Sequence, residues 1–198
     1  MRDKPDHYSL QAQREGYPAR SVYKLKEIDE KFRIIKKGSN IIDIGASPGS
    51  WTLYVCRKLN GSGKITAVDL KALDLGLNCS NLKFFKDDAF SKSFQETAVK
   101  TGPYDSVISD AAPSTTGNRT VDTGRSYNLA EDVLNFALKN LKDQGNLVIK
   151  IFQGGDEHQL LDIMKKSFKI AKIFKPKASR KESFEVFLIG TGRMQAEQ

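Results

Sequence analysis

Cysteine and histidine are scarce in this chain, with two of each among 198 residues. Cys56 falls in a helical apolar pattern and Cys79 in a turn-like stretch, and no C-x-x-C or Cys/His cluster exists. That spacing supports neither a zinc centre nor a disulfide framework, and no metal ligand is assigned. Both cysteines are therefore expected as reduced thiols of a cytoplasmic protein. No apolar run approaches the roughly 18 residues of a membrane span. The opening Met1-Arg2-Asp3-Lys4-Pro5-Asp6-His7 lacks the apolar centre of a secretory signal. Repeats and low-complexity segments are also missing.

Two nucleotide motifs are missing too. A phosphate-binding G-x-x-x-x-G-K-[ST] loop would be the mark of a nucleoside triphosphate site. The nearest approach, Gly61-Ser62-Gly63-Lys64, has Lys58 and Ile65 where Gly and Ser or Thr are needed, and reads as a turn. The dinucleotide pattern G-x-G-x-x-G is not met by Gly45-Ala46-Ser47-Pro48-Gly49.

What the chain does contain is an excess of positive charge in one place. The net charge is +8, and residues 165–181 hold eight cations and no acid: Lys165, Lys166, Lys169, Lys172, Lys175, Lys177, Arg180 and Lys181. The rest of the chain is therefore neutral in sum. Such a patch attracts a phosphate backbone through counterion release, so a nucleic acid is the expected partner.

Hydrophobic periodicity gives alternating strands and helices. Residues 1–20 form an irregular arm, with Pro5, Gly16 and Pro18. A helix over 21–32 is predicted, with Ser21 as its cap. Strands follow at 40–44, 64–69, 82–85, 104–109 and 145–152, and helices at 51–59, 91–100, 126–141 and 156–168. Residues 111–125 read as a long loop in which Asn118, Arg119 and Arg125 face a polyanion. Two last strands, near 170–174 and 184–189, have no helix between them. They should form an antiparallel hairpin at the sheet's edge, joined through the basic segment 175–181. The alternation implies a single α/β domain over 21–193, a parallel sheet with helices on both faces, and a short tail at 194–198.

The strand–loop–helix junction Ile41-Ile42-Asp43-Ile44-Gly45-Ala46-Ser47-Pro48-Gly49-Ser50-Trp51 marks the ligand end of that sheet. Gly45 and Gly49 let the backbone turn sharply and approach a ligand. Asp69, Asp88 and Asp110 follow the ends of later strands. Asp69 suits a ribose diol in either an NAD or an S-adenosylmethionine site, and Asp88 an adenine amino group. Lys150 interrupts the apolar strand Leu147-Val148-Ile149-Lys150-Ile151-Phe152. A buried ammonium is costly unless paired, which points it at Asp110 one strand away.

Five segments occur in a telling order: Arg20-Ser21-Val22-Tyr23-Lys24-Leu25; Asp43-Ile44-Gly45-Ala46-Ser47-Pro48-Gly49-Ser50-Trp51; Ser109-Asp110-Ala111-Ala112-Pro113; Val148-Ile149-Lys150-Ile151-Phe152-Gln153-Gly154; and Ser183-Phe184-Glu185-Val186-Phe187. Together they resemble the FtsJ/RrmJ-type RNA 2′-O-ribose methyltransferases over nearly the whole chain. The resemblance implies a Rossmann-like methyltransferase fold with a seven-stranded sheet and S-adenosylmethionine as cofactor. It further implies a catalytic tetrad of Lys24, Asp110, Lys150 and Glu185, and cofactor contacts from Gly45, Gly49, Trp51, Asp69, Asp88 and Asp110. Lys150 would take the proton of a ribose 2′-hydroxyl, or stay charged and orient that hydroxyl or stabilise its alkoxide. The implied substrate is a uridine of 23S ribosomal RNA in the large ribosomal subunit, and the expected enzyme is a cytoplasmic monomer. A transfer RNA or messenger cap methyltransferase, or a noncatalytic RNA-binding assembly factor, is the alternative. Ser47 and Ser50 depart from the Ala and Gly of the family's ribosomal members. Without the resemblance, Lys24 would read as a surface lysine, Glu185 as a solvated edge-strand acid and Trp51 as core.

Overall fold

The computed structural model describes residues 6–74, 79–180 and 182–195. Lys181, the first five residues of the arm and the last three of the tail lie outside that set. The described elements, in order, are α1 (His7–Arg14), α2 (Val22–Phe32), β1 (Asn40–Ile44), α3 (Ser50–Leu59), β2 (Lys64–Asp69), β3 (Leu82–Lys86), α4 (Lys92–Thr101), β4 (Tyr104–Ser109), α5 (Arg119–Asn140), β5 (Leu141–Phe152), α6 (Glu157–Ser167), β6 (Phe168–Phe174) and β7 (Glu185–Arg193).

The strands form one sheet of order β3-β2-β1-β4-β5-β7-β6. The first five run parallel, and β7 is antiparallel to both β5 and β6. Side chains of a strand alternate between its faces, and here each face meets its own helices. Ile42, Val107, Leu147, Ile149 and Leu188 pack with α4, α5 and α6. Ile41, Ile108, Val148, Phe187 and Ile189 pack with α2 and α3. Full burial of such side chains contributes about 1.5–3 kcal/mol each, so the two layers hold the sheet from both sides. The chain departs from β1 toward β2 on one side and reaches β4 on the other. That reversal opens a crevice at the carboxyl ends of β1 and β4.

Four sequence expectations need correction. The arm is not wholly irregular: α1 forms because the Asp6 carboxylate accepts from Ser9 N at 2.9 Å, capping a helix that Gly16 and Pro18 only terminate. The loop after β4 is shorter than expected. Asn118 Oδ1 accepts from Thr120 N and Val121 N, so α5 begins at Arg119 despite Gly124. Glu185 lies on β7, which is flanked by β5 and β6, and the true edge strand is β6. Finally, Cys56 and Cys79 are not free thiols but a disulfide, with Cα atoms 6.1 Å apart. The turn into β3 brings Cys79 back against α3, a proximity that local cysteine spacing cannot reveal.

Ser21 occupies the cap position of α2 but makes no capping hydrogen bond through its side chain. The hairpin loop between β6 and β7 is tied down instead from α2. Glu27 accepts from Lys177 N and Ala178 N, both at 2.8 Å.

Candidate active site

The loop after β1 is shaped by Gly45. Its φ is +75°, and a Cβ there would lie 2.5 Å from Ala111 Cβ, in the chain leaving β4. Only glycine tolerates both conditions, so the β1 and β4 exits sit in direct contact. Gly49 has φ +113° and hands the chain to α3. The first-turn N–H groups of that helix have no intrahelical acceptor and face the crevice end of the sheet.

Asp69 ends β2 and organises the same loop. Its Oδ2 accepts from Ser47 N at 2.9 Å and its Oδ1 from Lys71 N at 2.7 Å. Each oxygen keeps a lone pair for a ligand hydroxyl. Asp88 follows β3 and is exposed, with Oδ1 accepting from Phe90 N at 2.9 Å. The structure thus sets Gly45, Gly49, Asp69, Asp88 and Asp110 at successive strand ends along one rim. Trp51 is different. Its side chain is 2% exposed, stacks toward Phe187 at 5.7 Å and donates from Nε1 to Ser21 O at 2.9 Å. It anchors α3 to α2, leaving only its backbone for a ligand.

Sequence reasoning passed over Asp43. It is fully buried beneath the Gly45 loop, with Oδ2 accepting from Thr52 Oγ1 at 2.6 Å. Oδ1 has no hydrogen-bond partner among the described residues. Burial pushes this carboxyl up to about 7, the Asp110 and Asp69 carboxylates add to the rise, and the Thr52 hydroxyl opposes it. The signal was available, since Asp43 interrupts an apolar strand just as Lys150 does.

The tetrad positions expected from the resemblance converge. On β5 and β7 the pairing sets Lys150 opposite Phe187 and Phe152 opposite Glu185. Period-two alternation then places all four side chains on the α2 face of the sheet. Lys150 Nζ forms an ion pair with Asp110 Oδ1 at 3.0 Å and donates its hydrogen bond to the Asp110 carbonyl. Lys24 descends from α2 to place Nζ 2.5 Å from Glu185 Oε1. Burial pushes the Glu185 carboxyl up, but Lys24, and after it Lys150, outweigh that and hold it below the ordinary carboxylate range. Lys150 thus acts on Glu185 as well as on Asp110, which makes the two pairs one electrostatic unit.

A cleft of about 450 Å³ opens beside this unit, lined by Arg20, Ser21, Lys24, Arg180, Phe184 and Glu185 among others. Arg20 bonds Asp6 and the carbonyl of Ala178. Burial, and then the nearby Arg180 guanidinium, lower it from its usual value. The cleft therefore presents two guanidiniums, both near the Asp6 carboxylate, beside the Lys24–Glu185 pair and Glu182, an arrangement with fixed donors for a polyol bearing phosphates. In the basic tract, Lys165, Lys166, Lys169, Lys172, Lys175, Lys177 and Arg180 are all exposed. Strand alternation sends Lys169 and Lys172 to opposite faces of β6, so the tract wraps the sheet edge rather than covering one face.

Comparison with known proteins shows the family and the fold. The FtsJ-like methyltransferase family model matches residues 17–193. The chain is 52% identical over 186 residues to the ribosomal RNA large subunit methyltransferase E of Treponema denticola, covering 94% of each. It is 50% identical over 186 residues to the protein of the same name from Borreliella afzelii, covering 93% of this chain and 96% of that relative. A Plasmodium falciparum protein whose crystal structure is described as that of a ribosomal RNA methyltransferase superposes with a TM-score of 0.76 at 26% identity, over 89% of this chain and 98% of that one. The sheet and its flanking helices are a Rossmann-like methyltransferase fold.

Proposed function

We propose that this chain, which belongs to the FtsJ-like methyltransferase family, methylates a ribose 2′-hydroxyl of RNA, namely a uridine of 23S ribosomal RNA in the large ribosomal subunit. The methyl donor in this reading is S-adenosylmethionine. The observation that carries the proposal is the meeting of the Lys24–Glu185 and Lys150–Asp110 pairs at the ligand end of the sheet, beside a cleft that also holds Arg20 and Arg180.

The crevice suits that donor. A buried acceptor, Asp43 Oδ1, stands unpartnered under the Gly45 loop, and Asp69 and Asp88 offer carboxylate oxygens at the next two strand ends. In this assignment Gly45, Gly49 and the first turn of α3 cradle the amino acid part of the donor. Asp69 takes the ribose diol, Asp88 the adenine edge, and Asp110 borders the transferring group. When bound, the donor supplies an electrophilic methyl on a sulfonium.

The remaining work belongs to the chain. Lys150 Nζ, as the free amine left once its ammonium proton has passed to solvent, takes the proton of the 2′-hydroxyl as that oxygen attacks. The Asp110 carboxylate, 3.0 Å away, balances the ammonium that results. Lys24, fixed by Glu185, faces the same oxygen and offsets its growing negative charge. Arg20, Arg180 and the exposed lysines of β6 and its flanks meet RNA phosphates. All four tetrad members come from one chain, so a monomer is sufficient.

The test is Lys150→Ala. Methyl transfer to large subunits lacking the modification should fall by about 10²–10⁴-fold, while calorimetric binding of S-adenosylmethionine persists. Undiminished transfer by that variant would remove Lys150 from the reaction. Mapping of 2′-O-methyl sites in cells with and without the protein identifies the nucleotide.

A further inference from the structure

The cleft has an aromatic wall that the tetrad does not use. Phe184 directly precedes Glu185 and lines the cleft together with Lys24, Arg20 and Arg180. Its ring meets Phe152 with centroids 4.7 Å apart and planes at 61°. The Arg119 guanidinium sits over the Phe184 ring, 5.5 Å from its centroid. Gln153 N donates to Phe184 O at 2.8 Å, which fixes the backbone under the ring. Phe152 shares the face of Lys150, two residues along the same strand.

Both rings are only half-buried, and Arg119 is exposed. An aromatic ring serving the core alone would be covered by apolar neighbours, as Phe187 is. Phe184 instead lies between a guanidinium and an open cleft whose lining also carries Arg20, Lys24, Arg180, Glu182 and Glu185. A flat, π-rich group on the same molecule as a ribose and a phosphate is the ligand such a wall suits, and a nucleobase is that group.

We infer that Phe184, braced by Phe152 and capped by Arg119, is the stacking platform for the base of the nucleotide whose ribose the tetrad holds. The inference rests on the RNA methyltransferase reading above. Every base has a π face, so the platform orients the nucleotide rather than selecting its identity. Phe184 is thus a positioning residue, and Arg119 closes the stack from the first turn of α5.

The measurement is steady-state methylation of unmodified large subunits by Phe184→Leu and Phe184→Trp. Leucine keeps apolar bulk but has no π face. Phe184→Leu is expected to raise KM for the subunit about tenfold, with kcat changed far less and binding of S-adenosylmethionine unaltered. Phe184→Trp is expected to retain a KM within about twofold of the parent, and its added indole emission should be quenched by RNA beyond the response of Trp51 in the parent. A parental KM in Phe184→Leu, or an indole in Phe184→Trp that does not respond to saturating RNA, overturns the platform. If the parent enzyme itself leaves ribosomal RNA unmethylated, the underlying reading falls and the platform with it, an outcome read separately from either variant.

Discussion

Lys24 Nζ and Glu185 Oε1 are 2.5 Å apart, and their side chains are only 12% and 11% exposed. Lys24→Met strands a buried carboxylate, and Glu185→Gln strands an ammonium. Each is expected to slow methyl transfer at least about a hundredfold without loss of donor binding. Lys24→Met should also cost about 3 kcal/mol of stability, part of which the double variant recovers. The sign of its pH dependence follows from the depressed Glu185 carboxyl. The pair stabilises the protein above the ordinary carboxylate range, and that contribution is lost as pH falls through the lower folded value. Urea titrations across acid pH check this, because the parent's advantage over Lys24→Met must shrink as pH drops.

Gly45 offers a sharper geometric test. Alanine there must keep φ near +75° and fit a methyl 2.5 Å from Ala111 Cβ. Gly45→Ala should lose about 2–4 kcal/mol or push the β4–α5 loop out of place, weakening donor binding in either case. Denaturant midpoints and calorimetry with S-adenosylmethionine report both effects. A variant that matches the parent in both would mean the two loops are not in contact.

Asp43 ties stability to pH in the opposite sense from Glu185. Its carboxyl is raised from 3.8 to about 7 in the fold. Between those values the unfolded chain carries the charge and the folded one does not, so stability declines with rising pH at up to about 1.4 kcal/mol per unit. Asp43→Asn removes the slope. The variant should equal the parent near pH 4 and exceed it at pH 8, by an amount on the order of a few kcal/mol. Parallel stability curves for the two proteins would contradict this.

The disulfide closes a stretch with a sequence separation of 23 residues that includes β2 and the Asp69 turn. On the loop-entropy account that closure stabilises the oxidised protein by about 3 kcal/mol. Thermal melts with and without reductant should differ, and Cys56→Ser should erase the difference. Coincident melts of oxidised and reduced parent would show that the link contributes nothing.

The legible parts of the site were those where a residue is chemically out of place. A lysine in an apolar strand needs a carboxylate, and Asp110 was the acid one strand away, as the 3.0 Å pair bears out. The Gly45 loop was legible because glycines at a strand exit have few other uses. Asp43 carried the same anomaly as Lys150 and was overlooked. Lys24 and Glu185 could not be paired from their surroundings in sequence. One sits on an amphipathic helix and the other begins a strand, and the packing of α2 on the face of β7 that carries Glu185 brings them together. The hairpin itself was legible from the missing helix, but its order was not. Which strand of a hairpin is inner depends on its partner across the sheet. The starts of α1 and α5 were missed because single carboxylate and carboxamide caps, Asp6 and Asn118, outweighed nearby glycines and proline.

The interior place of β7 has a bearing on how the protein is made. Translation delivers β5 and β6 before the strand that separates them. A nascent chain ending short of Glu185 has an unpaired β5 flank and three of the four members of its charged centre. Catalytic competence and the covering of that flank thus arrive together, with β7.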